Sequence, residues 1–153
     1  MGLTKMKALL VALSAFVLFS AASAKADMDP ADAGTVIVAK IDISEQRMMV
    51  FVNGWPRYSW AVSTARRGYR TPVGAYKAYR TEKMWYSRKY DMSPMPYSIF
   101  FKGGYAIHGT NYVKRLGTPA SHGCVRLHTD NAKQLYALVR EAGVANTQVI
   151  VTQ

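Results

Sequence analysis

Cys124 is the only cysteine of the chain and stands in the run Ser121-His122-Gly123-Cys124-Val125-Arg126-Leu127. These residue types together point to nucleophilic acyl chemistry. A thiol attacks a carbonyl only as its thiolate, and a histidine near it in space can take the proton and return it to a departing amine. Two histidines are available. His122 lies two residues from the thiol, whereas His108 ends a short apolar run and is followed by Gly109, a placement suited to holding a ring rigidly against a facing element. That placement favours His108 as the base. Neither histidine has an acid close in sequence, so a backbone carbonyl would have to orient the ring.

Gly123 has its own place in this chemistry. A glycine before the nucleophile lets the backbone turn sharply, so that the amides of Gly123 and Cys124 can face a developing oxyanion. Arg126, two residues beyond the thiol, is suited to receiving a substrate carboxylate.

The N-terminus makes the lone thiol more telling. Lys5 and Lys7 precede an apolar stretch from Ala8 to Phe19, and Ala22-Ser23-Ala24 and Ala24-Lys25-Ala26 each read as a cleavage site. Residues 1–24 are therefore expected to be a signal peptide, cut after Ala24 or Ala26, and the apolar run is too short to span a bilayer. In an oxidising compartment an unpaired cysteine is a hazard, so an exported chain that keeps one has a use for it. The expected location is the periplasm or cell wall, with no transmembrane span in the mature chain.

Charge fits the same picture. The chain has 20 Lys and Arg against nine Asp and Glu, for a net charge of +11, and removing residues 1–24 takes away two lysines and no acid. Such a balance would indicate nucleic acid in a cytoplasmic protein. For an exported one the polyanions within reach are lipid head groups and cell-wall peptides rich in carboxylates.

The elements that must position these groups follow from the pattern. Residues 25–34 read as a linker and 35–153 as one domain, large enough to bury a core without disulfides. Thr35–Ile43 and Met48–Val52 read as strands around a Ser44-Glu45-Gln46 turn, and Asn53-Gly54 turns the chain into a third antiparallel strand that carries Tyr58, Trp60 and Val62. Thr71-Pro72-Val73-Gly74 is a turn, Ala75–Arg80 a strand, and Ala106-Ile107 a short strand ending at His108. Pro94 and Pro96 predict an irregular aromatic loop over 84–101, acting as a lid or pocket wall or else packed on the sheet. Thr129 is the expected N-cap of one helix with Leu135, Leu138, Val139 and Ala142 on one face, ended by Gly143, and Thr147–Val151 a closing strand. The expected fold is mostly β.

The chain resembles the YkuD-domain L,D-transpeptidases. The likeness rests on Ile107-His108-Gly109-Thr110 followed by Pro119-Ala120-Ser121-His122-Gly123-Cys124-Val125-Arg126-Leu127, with Val62-Ser63-Thr64, Thr71-Pro72-Val73-Gly74 and Met95-Pro96-Tyr97 also similar. It covers roughly Thr35 to Thr152 and departs at Ala65, where the family often has glycine, and in having no added peptidoglycan-binding module. It implies a compact β-sandwich with one principal helix after the cysteine motif. It also implies Cys124 as nucleophile, His108 as proton acceptor and donor, the Gly109 carbonyl as its orienter, and His122 and Gly123 in support. Arg126, Tyr97 and Ser121 are the residues expected to meet substrate, and no cofactor or metal is called for.

By the same resemblance the substrate is a peptidoglycan stem peptide. The thiolate would attack the carbonyl of the third residue, commonly meso-diaminopimelate, and expel a terminal D-alanine. An amine would then resolve the thioester into a 3→3 cross-link, a protein lysine would give a tethered envelope protein, a free D-amino acid an exchanged stem, and water a tripeptide. Three other readings stand beside this one. They are a hydrolase on the same fold, a noncatalytic wall-binding module, and a zinc site from His108, His122, Cys124 and His128, which are ligand types but fit a glycine-flanked nucleophile less well.

Overall fold

The computed structural model describes residues 34–153. The expected signal peptide, and the expected linker apart from Gly34, lie outside the described residues.

Two sheets form around one helix. The first begins as anticipated, with β1 (Ile37–Asp42), β2 (Arg47–Val52) and β3 (Trp55–Ala61) antiparallel in sequence. Asn53 and Gly54 take φ values of 50° and 82°, the left-handed pair that a two-residue hairpin turn requires. The sheet is completed by β4 (Gly74–Lys77) and by the last strand, β9 (Thr147–Thr152), in the order β3-β2-β1-β9-β4. Thus β9 does not close an edge; it lies between β1, to which it is parallel, and β4, to which it is antiparallel.

The strand expected over Ala75–Arg80 runs as β4 only to Lys77, and the chain then turns the corner between the sheets. Ala78 N–H donates to Thr147 O in the first sheet at 2.9 Å, and the next amide, Tyr79 N–H, donates to Phe100 O in the second at 3.0 Å. From Arg80 onward the chain belongs to the second sheet, whose order is β5 (Arg80–Ser87), β6 (Ser93–Lys102), β7 (Tyr105–Thr110) and β8 (Val125–His128). The expected irregular loop over 84–101 is therefore a long hairpin, β5 and β6, with a 3₁₀ turn at Arg88–Tyr90. Pro94 and Pro96 are tolerated because this half of β6 pairs only with β5, and β7 joins only from Ile99. Two residues apart, the prolines present their donorless nitrogens to the same flank, where no ladder runs.

One core joins the layers. Ile37, Ile41, Met48 and Val50 of the first sheet meet Ile99, Ile107, Val125 and Leu127 of the second, and Ala132, Leu135 and Val139 of helix α1 (Thr129–Ala142) pack into the same cluster. The helix starts one residue earlier than expected. Its N-cap is His128, whose Nδ1 accepts from Asp130 N–H at 3.3 Å, and Thr129 is its first residue. Gly143 ends it with φ 86°, as its position in the sequence predicts.

Leu135 is 1% exposed at the centre of this junction. Leu135→Ala is expected to cost about 3 kcal/mol of stability, read as a lower urea midpoint with an unchanged m-value.

Candidate active site

The second sheet has two faces, and the site uses the outer one. Strands β7 and β8 are parallel, with Ile107 opposite Val125, His108 opposite Arg126 and Gly109 opposite Leu127. Ile107, Val125 and Leu127 enter the core, so the alternate positions Ala106, His108, Cys124 and Arg126 share the opposite face. His108, Cys124 and Arg126 line one cleft of about 1340 Å³, whose far wall is the β5–β6 hairpin. His108 lies inside its strand, which runs on to Thr110 instead of stopping at the histidine.

His108 is 6% exposed. Its Nδ1 is 2.7 Å from Gly109 O; a carbonyl can only accept, so Nδ1 carries the proton and Nε2 is left as the basic nitrogen. Burial holds the imidazole pKa down at about 4, opposed by the Gly109 carbonyl and reinforced by the Arg126 charge. Burial also pushes the Cys124 thiol above its usual range, countered by the Ala106 backbone and by Arg126. Cys124 is half-buried, with Sγ 3.8 Å from Gly104 O. Burial thus favours the neutral form of both groups, a thiol and an imidazole lining one cleft.

The turn that carries the thiol is held by two hydroxyls. Ser121 Oγ accepts from Gly123 N–H at 3.0 Å and donates to Cys124 O at 2.6 Å. Thr71 Oγ1 donates to Gly123 O at 2.8 Å and accepts from Ala65 N–H at 3.0 Å. Ser121 is 1% exposed, and its hydroxyl, engaged on both sides, braces the turn at the edge of the cleft. The Gly123 amide is likewise committed to Ser121, which corrects the expectation that both amides face an oxyanion; that of Cys124 remains. Gly123 is needed for another reason as well. Its φ is 133°, and a Cβ there would sit 2.6 Å from the Tyr105 ring and 2.9 Å from Arg70 O.

The segment after β3 straps this turn to the first sheet. Ser63 exchanges backbone hydrogen bonds with Arg126, and Thr64 O accepts from both Ala120 and Ser121 N–H. Gln46, buried between the layers, accepts from Thr64 N–H and donates to its hydroxyl. Ala65 stands where the family often has glycine, and its backbone is not in the left-handed region, so alanine fits.

Other expected residues take distinct places. His122 stacks on Tyr90 of the hairpin turn at 4.4 Å between ring centroids and meets the edge of Tyr69 at 4.6 Å. The aromatic hairpin thus reaches across the cleft to the motif and is both packed structure and pocket wall. Burial and the charges of Arg66, Arg126 and Lys89 lower the His122 pKa. Arg126 lies at the cleft wall, 3.4 Å from Ala120 O and 5.9 Å from the Tyr112 ring centre. Tyr97 lines the cleft at φ 55°, with its ring against Tyr136 of α1 at 5.7 Å. Gly109 admits the close approach of the helix start, since a Cβ would lie 3.0 Å from Thr129 Cα. The four residues weighed as zinc ligands do not converge, because His128 caps the helix and His122 is stacked on Tyr90. Tyr69, Tyr90, Thr71 and Tyr105 were not singled out from sequence for these roles; only the Thr71-Pro72-Val73-Gly74 turn signalled one of them.

Residues 37–151 match the YkuD L,D-transpeptidase catalytic domain. The chain belongs to that family. Among solved structures, this YkuD domain is similar to an L,D-transpeptidase from Stackebrandtia nassauensis, with 28% identity, a TM-score of 0.67, and coverage of 86% of this chain and 61% of that one. It is similar in fold to an L,D-transpeptidase from Mycobacterium tuberculosis H37Rv, with 23% identity, a TM-score of 0.71, and coverage of 78% and 59%. A third match is L,D-transpeptidase 3 from M. tuberculosis in complex with a faropenem-derived adduct, with 22% identity, a TM-score of 0.67, and coverage of 78% and 61%. The chain thus spans about three fifths of the length of these structures. No curated protein matches it.

The depressed His108 pKa has a stability consequence. The unfolded chain binds a proton near pH 6.5 and the folded one only near pH 4, so in between the unfolded state holds more protons and stability falls as pH falls. The loss across that window is expected to be roughly 3 kcal/mol, and His108→Asn should flatten the slope of a Tm-against-pH series between pH 6.5 and 4.

Proposed function

We propose that this YkuD domain is an exported cysteine L,D-transpeptidase acting on peptidoglycan stem peptides. The observation that carries the reading is the parallel pairing of β7 with β8, which puts His108 and Cys124 on one face at the floor of one cleft.

The pair starts neutral, so the proton moves as the bond forms. Cys124 Sγ attacks the carbonyl of the third stem residue while His108 Nε2 takes the thiol proton, and the Gly109 carbonyl steadies the imidazolium through Nδ1–H. The Cys124 amide is the turn's donor to the oxyanion. Collapse expels D-alanine, whose nitrogen receives the proton from His108, and a thioester remains. An incoming amine then attacks the thioester and gives its proton to His108, which returns it to the departing sulfur. Atoms and protons balance without a further cofactor. The amine is the side chain of another stem's third residue or a lysine of an envelope protein; a free D-amino acid or water would resolve the same thioester.

Purified mature protein incubated with a disaccharide tetrapeptide should release D-alanine and form a dimer joined through third residues, read by mass spectrometry. Cys124→Ser should reduce turnover at least about a thousandfold while remaining folded. Tripeptide as the sole product would make the enzyme a hydrolase, and substantial turnover by the folded serine variant would remove the thioester.

The family's M. tuberculosis member in complex with a faropenem-derived adduct supports a second test. A carbapenem should add one acyl group per chain to the wild type and none to Cys124→Ala in intact-protein mass spectra. The tethered amine of the opened ring cannot diffuse away, so the adduct should persist. A thiol that reacts with iodoacetamide but never with the carbapenem would count against an acyl pocket at this site.

A further inference from the structure

We propose that Arg80 is a carboxylate-binding residue of the cleft and makes the enzyme select stem peptides whose third residue keeps its side-chain carboxylate free. This deepens the proposed function and rests on it. Three observations converge on Arg80.

The first is its mounting. The guanidinium lies 4.2 Å from the Phe100 ring centre and 4.5 Å from that of Trp85, in the corner of two rings set edge to face at 84°. Cation–π contact with both rings restrains the side chain and lowers the entropy cost of using it.

The second is that the fork is unspent. The Arg80 side chain makes no hydrogen bond to the described residues, and its Nε is buried without a partner. The nearest acid, Glu82, stands 3.8 Å away, too far for a hydrogen bond, and both side chains are partly exposed, so the contact is weak. A planar, half-exposed guanidinium with free terminal donors is suited to a bidentate carboxylate.

The third is its position. Phe100 packs with Met95 and Ala106 into a small cluster against which both Trp85 and Cys124 rest. Arg80 is seated on Phe100 and Trp85 of that cluster and lines the same cleft as Cys124. Arg126 occupies the other flank, opposite His108. Arg80 and six other Arg and Lys residues line the cleft, and among its described lining residues there is no Asp or Glu. The field inside favours an anionic peptide. The side-chain carboxylate of a diaminopimelate ends a flexible alkyl arm, so it can reach an arginine set apart from the thiol in the same cleft.

The test uses two disaccharide tetrapeptides, identical except that the third residue's side-chain carboxylate is free in one and a carboxamide in the other. Wild type should turn over the free acid with kcat/KM about tenfold higher, the yield of one charged hydrogen-bonded contact. Arg80→Gln should bring that ratio close to one, and Arg80→Lys should restore part of it. Iodoacetamide labelling of Cys124 in each variant reports whether the thiol pocket has kept its form. Binding of both peptides to Cys124→Ala and to the Arg80→Gln, Cys124→Ala double variant, by calorimetry, should show the same loss of discrimination without turnover. A wild type indifferent to amidation, an Arg80→Gln that still discriminates, or an equal loss on both peptides overturns the role of Arg80 and leaves the transpeptidase reading standing. If neither peptide binds or reacts while the thiol still labels, both fall together.

Discussion

The commitment of two buried hydroxyls, Ser121 and Thr71, to the backbone on either side of Gly123 is the constraint on which the site depends. A glycine at φ 133° would otherwise be the loosest point of the chain. Here its amide and its carbonyl are both occupied, and Tyr105 closes the space where a side chain would go. The thiol therefore leaves the turn in one direction. The energy of two hydrogen bonds is modest, but breaking either would leave a polar backbone group unpaired in a buried place, which is where the rigidity comes from.

From that turn the rest follows by register. A parallel pair puts residues of matching phase on one face, so fixing Cys124 just before β8 also fixes its relation to His108 on β7. The first sheet contributes without touching the chemistry, through the Gln46–Thr64 pair and the strap that binds Ser63 to Arg126. Burial then sets the resting state. The same desolvation that raises the thiol pKa lowers that of the imidazole, so burial disfavours the charged form of each.

Much of this was legible in the residues because it is local. Asn53-Gly54 announces its hairpin and Gly143 its helix end, and the motifs around His108 and Cys124 announce the family. What was not legible depends on partners distant in sequence. The run Ala75–Arg80 looks like one strand because nothing in its composition marks the change of sheet; the change is made by Thr147 and Phe100 accepting from adjacent amides. Pro94 and Pro96 forbid a strand only when both flanks are paired, and the free flank is a property of the topology. Thr71 and Gly123 lie 52 residues apart, so the hydroxyl that holds the thiol turn gave only the signal of a Thr-Pro turn. The bracing by Ser121 was not legible either, because a serine in this motif carries no sequence mark of the backbone groups its hydroxyl will meet.

The place of β9 carries a consequence for how the chain acquires its shape. Its strand lies between β1 and β4, so an interior strand of the first sheet is made from Thr147–Thr152 while both its neighbours come from residues far earlier in the chain. Until those six residues are available, β1 and β4 have no common neighbour and the inner face of the sheet stays open. Closure over such a separation makes folding a late and slow event in the life of the polypeptide.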